Sequence, residues 1–231
     1  MQFYAELTHP LSFAKLVKML NALLDTVNID INEEGLHILT LDMLKRVKKY
    51  DHLVLSLAND DPDCPLTVIV NSSQGDVDKK SVYQLSQMTL LNHERIHIPD
   101  RQYPCEVLLP PQVLADACLD LYGLGQELRV EVKRGSGVSF SVENALTTAK
   151  VSLRETKGSE TGILAIHTQQ DHSELFAFKF FAAIAKGCAS LPDCEALLLQ
   201  LGPGAPLSLL CQLTNTGHLN FFLAPLIPGD D

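Results

Sequence analysis

The chain has 231 residues, 46% of them hydrophobic and 20% charged, a composition that supports folded domains and excludes disorder along most of its length. Its formal net charge of −10 excludes general attraction to a phosphate backbone, so any nucleic-acid contact requires basic side chains gathered on one face. No run approaches the roughly 18 to 20 consecutive apolar residues of a membrane span, and Met1-Gln2-Phe3-Tyr4-Ala5-Glu6 has neither the basic region nor the apolar core of a signal, so an intracellular soluble protein is expected.

Alternation at Phe3, Ala5 and Leu7 predicts an opening strand. A helix follows, with Ser12 as the expected N-cap and Phe13, Leu16, Val17, Leu20, Leu23 and Leu24 on its buried side. Lys15, Lys18 and Asn21 occupy its other faces. Val27, Ile29 and Ile31 alternate into a turn at Asn32-Glu33-Glu34-Gly35, and 36–41 forms the return strand. Residues 44–50 allow barely two helical turns before strands at 53–57 and 66–70, separated by the turn Asn59-Asp60-Asp61-Pro62-Asp63. Residues 88–102 show little periodicity and read as an exposed connector.

About one hundred residues on, the order recurs. Tyr103, Cys105 and Val107 open a strand, Pro110-Pro111 stops it, and 112–121 forms a short helix through Val113, Leu114, Ala117, Cys118 and Leu121. Leu128, Val130 and Val132 alternate, Arg134-Gly135-Ser136-Gly137 turns, and Val138, Phe140 and Val142 return. A helix over 173–186, a strand near 195–201, the turn Gly202-Pro203-Gly204 and strands at 207–213 and 219–223 complete the second half. A strand, helix and hairpin unit used twice predicts a duplicated α+β protein with antiparallel sheets and helices on one face. The expected division is 1–87, a connector at 88–102, and 103–231. The six cysteines lie mostly inside apolar runs without CxxC spacing and read as reduced, buried thiols.

Gly217-His218-Leu219-Asn220-Phe221-Phe222-Leu223-Ala224-Pro225-Leu226-Ile227 resembles the C-terminal signature of the proliferating cell nuclear antigen (PCNA) family of eukaryotic DNA sliding clamps. Residues 3–42, Ile98-Pro99, Tyr103-Pro104-Cys105, Val138-Ser139-Phe140-Ser141 and 175–186 agree with the family in the same order. The resemblance implies the DNA clamp (processivity) fold: a head-to-tail homotrimeric ring with sheets outside and helices lining the hole. It implies a non-enzymatic nuclear protein of DNA replication and repair. Such a processivity factor encircles duplex DNA by backbone contacts without reading bases, is loaded by a clamp loader, and recruits polymerases, nucleases or ligases through short peptides.

Residue by residue, the resemblance places Lys15, Lys18, Lys45, Arg46, Lys179 and Lys186 at the DNA-facing lining, while Asp116 and Leu119 stand where the family carries arginines. The partner-peptide pocket is assigned to Leu41, Ile96, Ile98 and Pro99 with Pro206, Phe222, Ala224 and Pro225, an apolar concavity suited to anchor side chains. Phe221 is expected to close a sheet core instead. After Leu39-Thr40-Leu41-Asp42 the family continues with about thirty residues, including two strands, which this chain replaces directly by Met43-Leu44-Lys45-Arg46; such a loss would expose strand edges. The alternative reading is therefore a PCNA-like interaction module that no longer completes a ring.

His93-Glu94-Arg95-Ile96-His97 also matches H-E-x-x-H, which on a helix would set two imidazoles beside a glutamate base for zinc-assisted hydrolysis, and 82–91 could lead into such a helix. Pro99 ends any helix at once, no Gly-x-x-His extension supplies a third ligand, and the resemblance puts this segment in an extended connector. No glycine-rich loop ends in Gly-Lys-Ser/Thr. The expectation is a protein with no catalytic residues, metal or cofactor.

Overall fold

The computed structural model of the chain describes residues 3–7, 10–23, 30–32, 35–37, 51–58, 64–74, 77–86, 101–155, 165–214 and 217–227. The chain divides into two compact units, Met1–Pro99 and Asp100–Asp231.

In the first unit β1 (Phe3–Leu7) leads into α1 (Pro10–Leu23), the hairpin β2 (Asp30–Asn32) and β3 (Gly35–His37), and then β4 (His52–Leu57), β5 (Leu66–Gln74) and β6 (Val77–Leu85). The four longer strands form one antiparallel sheet in the order β1-β4-β5-β6. Ala14 and Val17, one helical step apart, bury one side of α1 against Leu53, Leu55, Val68 and Val70, which recur at every second position of their strands. Two expectations need correction. Ser12 is not a cap: the helix already starts at Pro10, whose fixed φ suits a first turn, and Ser12 is buried within it. Val82 to Leu85 are strand and not the start of a helix, because they pair with β5 as part of β6; residues 87–91 lie outside the described residues.

The second unit runs β7 (Cys105–Leu109), α2 (Pro111–Leu121), β8 (Glu127–Lys133), β9 (Gly137–Glu143), β10 (Thr148–Leu153), β11 (Ala165–Thr168), β12 (His172–Ala177), α3 (Phe178–Ser190), β13 (Cys194–Leu201), β14 (Leu207–Leu213) and β15 (Gly217–Leu223). Two sheets result, β10-β9-β8-β12 and β11-β7-β13-β14-β15. The β8–β9 hairpin turns at Gly135 (φ 68°) and Gly137 (φ 103°), left-handed positions that glycine tolerates at little cost. Its Leu128, Val130, Val132, Val138, Phe140 and Val142 are all buried, as the alternation requires. The helix expected over 173–186 begins only at Phe178. Residues 173–177 belong to β12, because the open edge of β8 offers them a full antiparallel ladder from His172↔Val132 to Ala177↔Glu127.

The two units repeat one order, with a difference between hairpin and closing strands. Residues 144–193 separate β9 from β13 and carry β10, β11, β12 and α3, whereas residues 38–51 alone separate β3 from β4. Thus β7 has β13 on one side and β11 on the other, while among the described residues β1 pairs only with β4.

The reading of all six cysteines as thiols is also corrected. Cys194 and Cys211 are joined as a disulfide. The β13–β14 pairing brings residues 17 apart in sequence to a Cα separation of 6.2 Å, within the span of a disulfide, and no short spacing motif announces such cross-strand neighbours.

Candidate functional site

On α1, Lys18 is exposed and Lys15 half-buried, while Ala14 and Val17 are buried in the core. On α3, Phe178, Phe181, Ile184, Ala185 and Cys188 turn into the core and leave Lys179 and Lys186 exposed, two turns apart. The Lys179 ammonium stands 4.5 Å from the centroid of the Phe180 ring, a cation–π contact at the helix start. The neighbouring α2 contributes no lysine or arginine. Its exposed side carries Gln112, Asp116, Leu119 and Asp120, with Gln112 Nε2 donating to Asp116 Oδ1 at 2.7 Å. Two lysines on α3 are thus balanced by two aspartates on α2, and the helix pair of this unit is electrically neutral. Lys45 and Arg46 lie outside the described residues.

Of the pocket residues, Pro206 sits in the turn before β14, Phe222 on β15, and Ala224 and Pro225 in the segment after it. Pairing of Phe222 with Ser208 puts it on the sheet face opposite the buried Leu207 and Leu209; Phe221 points to the other face, with Leu209 as its cross-strand partner. Phe222 remains 37% exposed, Pro206 and Pro225 are half-buried, and Ala224 is exposed. Two residues beyond the sequence assignment hold this region. The Tyr103 hydroxyl donates to the Pro206 carbonyl at 3.1 Å, and Arg101 Nη1 donates to the Gly204 carbonyl at 2.8 Å. Burial pushes the Tyr103 phenol above its ordinary range, with the Arg101 charge opposing, so it stays a donor. Tyr103 reads in the sequence only as a strand opener, and its role follows from a contact with a residue 103 positions away. Behind Phe222, Ser208 Oγ is 3.0 Å from both Gln200 Oε1 and Asn220 Oδ1, and Gln200 Nε2 donates to Glu106 Oε1 at 2.8 Å, fixing the strands across the sheet. The segment after β15 is tied down where Leu226 N donates to the Leu175 carbonyl at 2.7 Å. Leu41, Ile96, Ile98 and Pro99 lie outside the described residues, as do His93 and His97. Among the described residues no group of three His, Cys, Asp or Glu side chains is placed to hold a metal ion, and no helix is long and apolar enough to cross a membrane.

A strand, helix and hairpin order used twice, closed in the second unit by two antiparallel sheets and a packed helix pair, defines the α+β DNA-clamp fold. Residues 97–226, more than half of the chain, match the family model described as proliferating cell nuclear antigen, C-terminal domain, and the chain belongs to that family of sliding clamps.

Proposed function

We propose that this chain is a DNA polymerase processivity factor, a non-enzymatic clamp subunit that closes with two further copies into a ring around duplex DNA. The observation that carries the reading is that both units present open sheet edges, and β6 and β10 are two unlike ones. Among the described residues β6 ends the sheet of the first unit and β10 ends a sheet of the second, each paired on one side only. A ring of identical subunits needs a head-to-tail contact between two different surfaces, and two antiparallel-sheet edges on one chain would serve as such surfaces. Apolar groups accompany both: Val82 on β6 is 53% exposed, and Leu146 at the β9–β10 turn is 95% exposed. In this reading Lys15, Lys18, Lys45, Arg46, Lys179 and Lys186 hold the DNA backbone. The Phe222 region, with Leu41, Ile96, Ile98 and Pro99, takes the peptides of polymerases, nucleases or ligases. Nuclear replication and repair is the setting, with a clamp loader opening the ring.

A second reading, an interaction module that recruits partners without completing a ring, is favoured by one observation: Asp116, Leu119 and Asp120 give α2 an acidic and apolar exposed side that repels phosphate. Light scattering at micromolar concentration separates the two. A mass of about 76 kDa, three times the 25.4 kDa chain, supports the ring; a persistent species of one chain mass overturns it in favour of the module.

A further inference from the structure

The outward face of the β8–β9–β10 sheet gathers charge in a pattern that neither the helix lining nor the peptide pocket uses. The register sets Lys133 opposite Gly137, Glu131 opposite Ser139 and Arg129 opposite Ser141 across β8–β9. It sets Ser152 opposite Ser139 and Lys150 opposite Ser141 across β9–β10, and Arg154 follows β10 directly. The alternate residues of the same strands, from Val130 to Phe140, are buried on the other face. Over these rows the middle strand therefore offers a glycine and two serines, with Glu143 at its far end, while arginine and lysine stand on both flanks. Short side chains between long ones leave a depression of about 170 Å³ lined by Glu131, Lys133, Ser139, Lys150, Ser152 and Arg154, in which Ser139 Oγ donates to Glu131 Oε2 at 3.3 Å; Arg129 stands one row beyond Glu131.

Glu131 organises this face. Its two oxygens accept from Lys133 Nζ at 2.8 Å and Lys150 Nζ at 3.0 Å, so both ammoniums are held at the rim before any ligand arrives. Hydrogen bonds from Lys133 and then Lys150 hold its carboxyl at about 2, so it stays ionised at physiological pH. The count over these rows is four cations, Arg129, Lys133, Lys150 and Arg154, against one carboxylate, on a chain whose net charge is −10. Among the described residues the other acids of this face lie at its borders: Asp171 is engaged by Arg134, Glu127 and Glu143 sit at the far end of the strands, and Glu155 follows Arg154.

We propose that this face binds the phosphate group of a phosphorylated protein segment. A phosphoserine or phosphothreonine brings a charge of about −1.5 to −2 and three acceptor oxygens, which arginine, lysine and serine donors satisfy together. The depression admits one tetrahedral group. Single-stranded nucleic acid is disfavoured because its nonspecific binders offer aromatic rings for base stacking, and the aromatic residue of these three strands, Phe140, is turned into the core. The inference concerns the second unit alone and stands whether or not the ring closes.

Calorimetry on the full chain tests it with four probes: a short peptide with one central phosphoserine, its unphosphorylated form, inorganic phosphate, and oligothymidine. The phosphopeptide should bind at least tenfold more tightly than the unphosphorylated peptide or inorganic phosphate. Arg154→Glu and, independently, Arg129→Glu should each weaken it at least tenfold with far-UV dichroism and melting temperature near wild type. Glu131→Gln should strengthen it severalfold, since the competing carboxylate is gone. Equal binding of the two peptides, indifference to both arginine reversals, or inorganic phosphate bound as tightly as the phosphopeptide overturns the assignment. Oligothymidine bound more tightly than the phosphopeptide, with the same arginine dependence, replaces it with a nucleic-acid site.

Discussion

The rings of Phe140 on β9 and Phe181 on α3 meet with centroids 5.9 Å apart and planes inclined at 48°, both side chains fully buried. This contact fastens to the sheet the helix that presents Lys179 and Lys186. Phe181→Ala removes a large ring from a packed core and should cost about 3–5 kcal/mol. Urea unfolding should show a lower midpoint with an unchanged slope; a loss under about 1 kcal/mol would mean that the helix is held mainly by other contacts.

The cysteines should separate into classes under alkylation. Denatured, unreduced protein should expose four thiols, Cys64, Cys105, Cys118 and Cys188, and reduction should add the two from Cys194 and Cys211. In the native state Cys64, half-buried, should react first, because burial pushes Cys118 and Cys188 up to about 12 and leaves little thiolate at neutral pH. By the loop-closure argument the bridge contributes about 3 kcal/mol for its 17-residue separation, so reduction or Cys194→Ala should lower the melting temperature to a common value.

The pair of lysines on Glu131 predicts a specific acid response. Its carboxyl falls from an ordinary 4.5 to about 2, so its stabilising contribution is fully present above pH 4.5 and is lost as pH drops through about 2. Lys133 is shifted upward by the same partner, so its share is present below its ordinary 10.5 and disappears above its raised value. The stability difference between wild type and Glu131→Gln should be constant near neutrality and shrink across that acid window; a pH-independent difference would assign the contact no electrostatic role.

The helix faces make a prediction in both directions for DNA. Reversing Lys15, Lys18, Lys179 and Lys186 to Glu should weaken retention on nicked circular DNA and flatten its salt dependence, by about 0.9 in logarithmic slope for each phosphate that is no longer neutralised. Asp116→Arg with Leu119→Arg should do the opposite, since these exposed α2 positions offer no cation now. The mass of the wild type and of each variant in solution must be measured first. Unchanged retention in the lysine variant of an intact ring removes these residues from the lining.

What the sequence made legible, and what it did not, follows from how local each signal is. The β8–β9 hairpin was legible because Leu128, Val130, Val132 and Phe140 alternate around a glycine turn, a pattern contained in sixteen or so residues. Residues 173–177 were not, because their apolar run also suits a helix and only the distant edge of β8 decides for a strand. The edge strands β10 and β11 are short signals: Thr148–Leu153 alternates polar and half-buried residues over six positions, and Ala165–Thr168 spans four, too few to set a period by itself. At the site, Phe222 was found through the tail motif, whereas Tyr103 and Arg101 hold its surroundings through contacts some hundred residues long in sequence. The basic sheet face was invisible because Arg129, Lys133, Lys150 and Arg154 converge only after three strands are set in register.

Partner recruitment gives the last prediction. Phe222 stands 37% exposed on a sheet face stiffened by Ser208, Gln200 and Asn220, beside a turn fixed by Tyr103, so an aliphatic or aromatic anchor from a peptide would meet a preformed surface with little ordering cost. The proposal assigns Ile98 to the same pocket. Ile98→Asp would therefore bury a carboxylate among apolar groups, and Phe222→Ala would remove the wall itself. Each should weaken a clamp-binding peptide at least tenfold, about 1.4 kcal/mol or more. Tyr103→Phe tests the support separately: losing the hydroxyl that reaches the Pro206 carbonyl should weaken binding only a fewfold, on the order of 1 kcal/mol, without touching the peptide. His93→Ala with His97→Ala should leave affinity near wild type, and added zinc should neither be required nor produce peptidase activity. Calorimetric titration of one peptide against the wild type and these variants decides the matter. Wild type without binding up to about 1 mM, weaker than about −4 kcal/mol, ends the recruitment assignment. A zinc-dependent hydrolysis abolished by the double histidine variant would give the connector to an enzyme instead.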